Sequence, residues 1–182
     1  MKMKKSTRGF GLMEVLIGSV IAALMATVFA AVLKQGQDAW RTRSNTMTIS
    51  FELRRGMQSL TREIAQTRAN QLSIPADGNW YNTMTLSIPQ DMDGNGTVLD
   101  GAGVLEWSNP IQYALGGVNG QQVQRIQAGN TRVLAHGVTL LRFRRAAANP
   151  SLVEINFSVQ RGALNGNFIQ QVGQTARVRV RN

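Results

Sequence analysis

Residues 10–33 read FGLMEVLIGSVIAALMATVFAAVL: 24 positions with one charge, Glu14, and none from Val15 to Leu33. A helix of ~20 apolar residues crosses the hydrocarbon core of a bilayer, so this stretch is long enough to span one. The nine residues before it carry Lys2, Lys4, Lys5 and Arg8 and no acid. Cationic flanks stay on the cytoplasmic face, which predicts an N-terminus inside and the remaining chain on the far side of the membrane. An apolar run with no water-facing stripe needs lipid or other helices around it, and the rest of the fold has to begin where that run ends.

Three kinds of segment begin with a basic stretch and an apolar run. A conventional secretory signal would be cut after Val28-Phe29-Ala30 and leave Ala31 as the first mature residue, but its apolar run is normally only ~7–15 residues long and lacks a carboxylate. A plain signal anchor has the right length and leaves Glu14 without a reason. An ionisable group costs ~2.5–3.5 kcal/mol near the centre of a bilayer, less at its edge, and it ordinarily has a partner. The third kind supplies one. Lys4-Lys5-Ser6-Thr7-Arg8-Gly9-Phe10-Gly11-Leu12-Met13-Glu14 resembles the N-terminus of the type IV pilin and type II secretion pseudopilin superfamily. The resemblance implies that a prepilin peptidase cuts after Gly9 and methylates the new terminal amine at Phe10. Glu14 then becomes the fifth mature residue. Gly11 and Met13 depart from the commoner Thr and Ile or Leu without blocking that chemistry. A carboxylate one helical turn from the new amine can neutralise the amine of a neighbouring subunit in a low-dielectric bundle and set the axial stagger of the helices. A carboxylate reaching back to the headgroups is the simpler alternative.

Beyond the apolar run, residues 34–68 contain no proline and glycine only at 36 and 56. Leu53, Met57, Leu60 and Ile64 step by four, three and four, which makes one stripe of an amphipathic helix. A single helix from about Phe10 to Ala69 would run roughly 90 Å at ~1.5 Å per residue. After Asn70 the period changes to two. Met84, Leu86 and Ile88 alternate with polar residues, as do Val153, Ile155, Phe157 and Val159. Val138 to Phe143 and Arg177 to Arg181 read the same way. Such runs, parted by Gly, Asn and Pro turns, are half-buried antiparallel strands. Val104–Trp107 and Ile111–Leu115 suggest a hairpin across Ser108-Asn109-Pro110. The expected fold class is α+β, with a sheet packed on the apolar stripe of a long N-terminal helix, and this is also what the pilin resemblance implies. The expected organisation is a leader over residues 1–9, a transmembrane half-helix over 10–33, an amphipathic half-helix over 34–69 and a β-rich head over 70–182.

One loop has the chemistry of a cation site. In Gln90-Asp91-Met92-Asp93-Gly94-Asn95-Gly96-Thr97-Val98-Leu99-Asp100, oxygen-bearing Asp91, Asp93 and Asn95 fall at spacing two with Gly96 next. This copies the first half of a calcium loop, in which Thr97 contributes a backbone carbonyl. Calcium takes about 6–8 oxygens. Ala102 stands where a bidentate glutamate closes an EF-hand, so Asp100 or Glu106 has to complete the shell, and the ion would be structural. A plain turn rich in Asp, Asn and Gly is the alternative.

The 182 residues carry a net charge of +10, with no cysteine and one histidine. That excludes a disulfide scaffold, a thiolate zinc site and a cysteine nucleophile, and leaves little material for a histidine-based site. His136 has no second histidine to share a metal with. Four of the ten net charges sit in residues 1–9, where they orient the membrane segment. Arg142, Arg144 and Arg145 with Arg177, Arg179 and Arg181 could align as a basic patch, but nucleic acid also wants aromatics interleaved with such charges. The expected function is that of a structural minor pilin or pseudopilin without enzymatic activity, either the J-type subunit of a secretion pseudopilus or the W-type subunit of a type IV pilus, near the tip or in initiation. Its partners are the prepilin peptidase, other subunits and inner-membrane lipid. A DNA-uptake pilin using the arginine strands, and a secreted calcium-dependent protein with a conventional signal peptide, are the competing readings.

Overall fold

The computed structural model describes residues 11–162 and 169–181; the expected cleavage and methylation positions, Gly9 and Phe10, lie outside the described residues. One helix, α1, covers Leu12–Gln66. The chain divides into two compact units, the first ending at Ser44 and the second starting at Asn45. In the first unit every described residue is exposed, including the apolar residues 15–33.

The second unit is an α+β fold whose core is built on the last turns of α1. Ile49, Leu53, Gly56, Met57, Leu60 and Ile64 are buried there, so the stripe expected from Leu53 to Ile64 runs one turn further back, to Ile49. The helix ends without a proline. Thr67, next in the chain, is buried and its hydroxyl donates to the Ser87 carbonyl at 2.6 Å. Arg68 is already extended, and a single 3-10 turn, Ala69–Gln71, follows.

Two antiparallel sheets surround that stripe. The first has the order β1-β2-β3-β4, with β1 at Met84–Leu86, β2 at Ile111–Gly116, β3 at Gln122–Gln127 and β4 at Asn130–His136. The second has the order β5-β6-β7, with β5 at Val138–Ala146, β6 at Asn149–Gly162 and β7 at Ile169–Arg179. In β6 the alternation is strict: Val153, Ile155, Phe157 and Val159 face the core with Leu141 and Phe143 of β5. The expected hairpin across residues 108–110 does not form. β2 pairs instead with β1, through Met84↔Tyr113, and with β3. Residues 104–107 make only isolated bridges, Leu99↔Leu105 and Pro89↔Trp107, because they close the loop that carries the acidic residues. β3 and β4 are joined by a two-residue turn in which Ala128 (φ 48°) and Gly129 (φ 81°) both take positive φ. That is the type I′ geometry that suits strand twist, and it is costly for an alanine.

At Gly56 the helix comes into close contact with both sheets. A Cβ there would stand 2.9 Å from Phe157 Cζ and 3.1 Å from Ala135 Cβ, so the absence of a side chain is what lets α1 seat against β4 and β6.

Candidate functional site

At the start of α1, Glu14 lies in the first turn, where its carboxylate meets the positive end of the helix dipole. Its Oε2 accepts the Gly11 N–H at 3.1 Å, while the Gly11 carbonyl accepts from Glu14 N at 3.0 Å and Val15 N at 3.3 Å. Glu14 thus closes the first turn of its own helix. Its Oε1 has no partner among the described residues and stays open to one. From there the helix is charge-free to Leu33 and exposed throughout, with Leu24 62% and Phe29 65% accessible. The described structure has one helix long and apolar enough to cross a membrane. A contiguous apolar surface of this kind marks contact with lipid or another protein.

The acidic loop is built by Asx turns. The Asp91 carboxylate accepts Gly94 N at 2.7 Å and Gly96 N at 2.8 Å, and Asp93 accepts Asn95 N at 3.0 Å. The Gly96 amide, helped by that of Gly94, holds the Asp91 carboxyl below the usual carboxylate range, so it is ionised at neutral pH. The far side of the loop returns at Glu106, whose Oε2 accepts Met92 N at 2.6 Å and whose backbone pairs with Gln90 and Val98. This brings Asp91, Asp93 and Glu106 together, one carboxylate oxygen of each within 4.8 Å of the others. Three converging carboxylates suit a hard divalent cation, which takes oxygen ligands. The other expected ligands are placed differently. Asn95 Oδ1 accepts both the amide and the hydroxyl of Thr97, at 2.8 and 2.7 Å, and its amide nitrogen donates to Asp93 Oδ2 and the Leu99 carbonyl. Asp100 turns into its own tight loop, where Oδ1 accepts Ala102 N at 2.9 Å and Val104 N at 2.8 Å. Glu106 therefore stands where a closing carboxylate was needed.

His136 is exposed; its Nδ1 lies 3.4 Å from Gln122 Nε2 and its backbone N–H is held by Glu52 Oε2 at 3.1 Å. The six arginines of the strands do not form one cationic stripe. Glu154, buried in the centre of the β5-β6-β7 sheet, takes Arg144 on one side and Arg177 at 2.7 Å on the other. The Arg144 guanidinium, with Arg177 opposite, holds the Glu154 carboxyl below its ordinary range. Arg142 and Arg144 stack on the Trp80 ring, 5.3 and 4.7 Å from its centroid. Arg145 points the other way, into the core, and donates to the carbonyls of Pro150 and Ile74 at 3.0 Å each. Arg179 and Arg181 alone of the six are exposed and without a side-chain partner among the described residues.

A polar cluster that the sequence reading did not single out locks α1 to the first sheet. Glu63 of α1 receives the Tyr113 hydroxyl from β2 and Arg125 Nε from β3 at 3.0 Å; Arg125 Nη1 also donates to Gln127 Oε1 at 2.8 Å. Burial, with the Glu63 charge beside it, pushes the Tyr113 phenol above its ordinary value. The signal was faint but present: Glu63 follows Leu60 by three residues and so sits at the border of the buried stripe. Comparison with protein-family models, with curated proteins and with solved structures returned no match.

Proposed function

We propose that the chain is a structural subunit of a pilin-like filament, a minor pilin or minor pseudopilin with no catalytic activity of its own. It enters the bacterial inner membrane with its N-terminus in the cytoplasm and its head in the periplasm. A prepilin peptidase cuts it after Gly9 and methylates Phe10. The subunit then leaves the bilayer by bundling its apolar helix with those of other subunits, at the tip or in initiation of a secretion pseudopilus or a type IV pilus. Both the J-type pseudopilin and the W-type minor pilin fit the description.

The observation that carries this reading is the division of labour along α1. Residues 11–44 are wholly exposed, and charge-free from Val15 to Leu33, while Ile49 to Ile64 of the same helix form the spine of the head's core. A segment that is apolar all round is stable in lipid and equally stable among identical segments, so one helix serves both the membrane and the filament. Glu14 supports it too: it stands four residues after the new terminal residue in the sequence, and its Oε1 has no partner among the described residues, so a sister subunit can be paired there. In this account Asp91, Asp93 and Glu106 hold a structural calcium ion that ties the acidic loop to the strand-like return at residue 106. The ion would supply charge neutralisation only; the backbone amides of Gly94 and Gly96 orient Asp91 for it.

The test is made in cells that process prepilins. Glu14→Gln leaves cleavage after Gly9 intact and abolishes incorporation into filaments, whereas Gly9→Ala blocks cleavage. Normal incorporation of the Glu14→Gln subunit would confine Glu14 to its role in closing the first turn.

A further inference from the structure

A groove of about 510 Å³ runs along the flank of α1 within the second unit, lined among others by Arg55, Ser59, Arg62, Glu63 and Gln66 of the helix and by Arg132 of β4. None of the three arginines has a carboxylate partner among the described residues. The acids nearest in sequence are already engaged: Glu63 by Arg125 and Tyr113, and Glu52 by the backbone of His136. The one carboxylate lining the groove, Glu63, is taken up by Arg125 and Tyr113, so the three guanidinium groups repel one another without a counter-charge of their own, and the stable complement is a chain of anions.

The neighbourhood selects the kind of chain. No aromatic ring lines the groove, so it offers no platform on which bases stack. It offers instead the neutral hydrogen-bonding groups of Gln58, Ser59 and Gln66. β4 pairs only with β3, so its outer edge has no strand partner among the described residues, and Asn130, Thr131 and Arg132 are exposed. An exposed strand edge beside a groove is the setting in which extended peptides add to a sheet. A second cavity, about 410 Å³ and lined in part by Arg125, Asn130 and Thr131, shares Arg132 with the first. We propose that this groove is a docking site for an acidic, extended segment of a partner protein. Arg55 and Arg62 are two helical turns apart, roughly 10 Å, which an extended segment covers in about three residues. The groove lies wholly outside residues 11–44, so its occupancy is independent of the reading of the N-terminus.

The experiment titrates the full chain, in non-ionic detergent micelles, into a fluorescein-labelled peptide of about ten residues with glutamate at every third position. The expected result is saturable binding that weakens steeply with salt and falls about two- to five-fold for each arginine neutralised. Arg62→Glu with Arg132→Glu removes it, and Arg179→Glu, on the other sheet, leaves it unchanged. Arg62→Gln with Arg132→Gln provides the same comparison should the reversed variant not fold. Absence of binding at low salt, or binding indifferent to Arg62 and Arg132, would overturn the proposal. So would a single-stranded oligonucleotide that binds as tightly through the same arginines, since that would assign the groove to nucleic acid.

Discussion

Replacing Gly56 by alanine sets two effects against each other. In an exposed helix interior the change is favourable by ~1 kcal/mol, because alanine restricts the unfolded backbone and glycine does not. At Gly56 the added Cβ would lie 2.9 Å from Phe157 Cζ and 3.1 Å from Ala135 Cβ. Both neighbours are 0% exposed, so neither can swing into solvent, and overpacking of this kind costs ~1–3 kcal/mol. The cost exceeds the gain. Gly56→Ala is expected to destabilise the head by about 1 kcal/mol, or about 3 °C in Tm for a chain of this size. The assay is thermal unfolding of the detergent-solubilised chain, followed by the near-ultraviolet signal of the head. Phe157→Leu supplies the control. Alone it leaves space and destabilises; combined with Gly56→Ala it is expected to cost less than the two changes summed, with a coupling of about 1 kcal/mol. A rise in Tm for Gly56→Ala, or strict additivity with Phe157→Leu, would refute the seating of α1 against β4 and β6.

Other expectations concern charge, turn and cation. Glu154 titrates below an ordinary glutamate, so its pairing with Arg144 and Arg177 stabilises the fold above about pH 4.3 and is lost as pH falls through the folded value. Glu154→Gln should cost about 2 kcal/mol at neutral pH, below the ~3–5 kcal/mol typical of a buried pair because solvent reaches both arginines, and Tm measured from pH 7 to 3 should lose part of its slope. Ala128→Asn should raise stability by about 1 kcal/mol in a denaturant titration, since asparagine tolerates the positive φ that alanine resists. A chelator should lower the Tm of the calcium-loaded chain, and Asp93→Ala should abolish that effect; an unchanged melting curve would discard the site.

The apolar helix and the strands with strict alternation were legible because each signal is local. Leu53, Met57, Leu60 and Ile64 mark a helix face without reference to anything else in the chain, and Val153 to Val159 mark a strand in the same way. β3 and β4 were missed for two physical reasons. Their core-facing positions include Arg125, which is half-buried because it pairs with Glu63, 62 residues away in α1, and their turn reads Ala128-Gly129 where Asn-Gly is the stronger signal. Arg145 could have been placed correctly. It has the same parity as Leu141 and Phe143, so alternation puts it on the core face and away from Arg142 and Arg144. In the acidic loop the spacing of Asp91 and Asp93 was readable, but the third carboxylate was not. Which of Asp100 and Glu106 turns inward depends on the return of the chain at residues 98–106, where Asp100 closes its own turn and Glu106 is left facing Met92.

The central claim is that the first nine residues are a leader and that the mature chain begins at Phe10. The most direct test is the mass and N-terminal sequence of the protein purified from the membrane of a prepilin-processing host. The account predicts a chain lacking residues 1–9 and carrying one methyl group on the amine of Phe10, with the uncut form accumulating when the peptidase is absent. A mature chain beginning at Ala31, or one that keeps its leader in the presence of the peptidase, would contradict it.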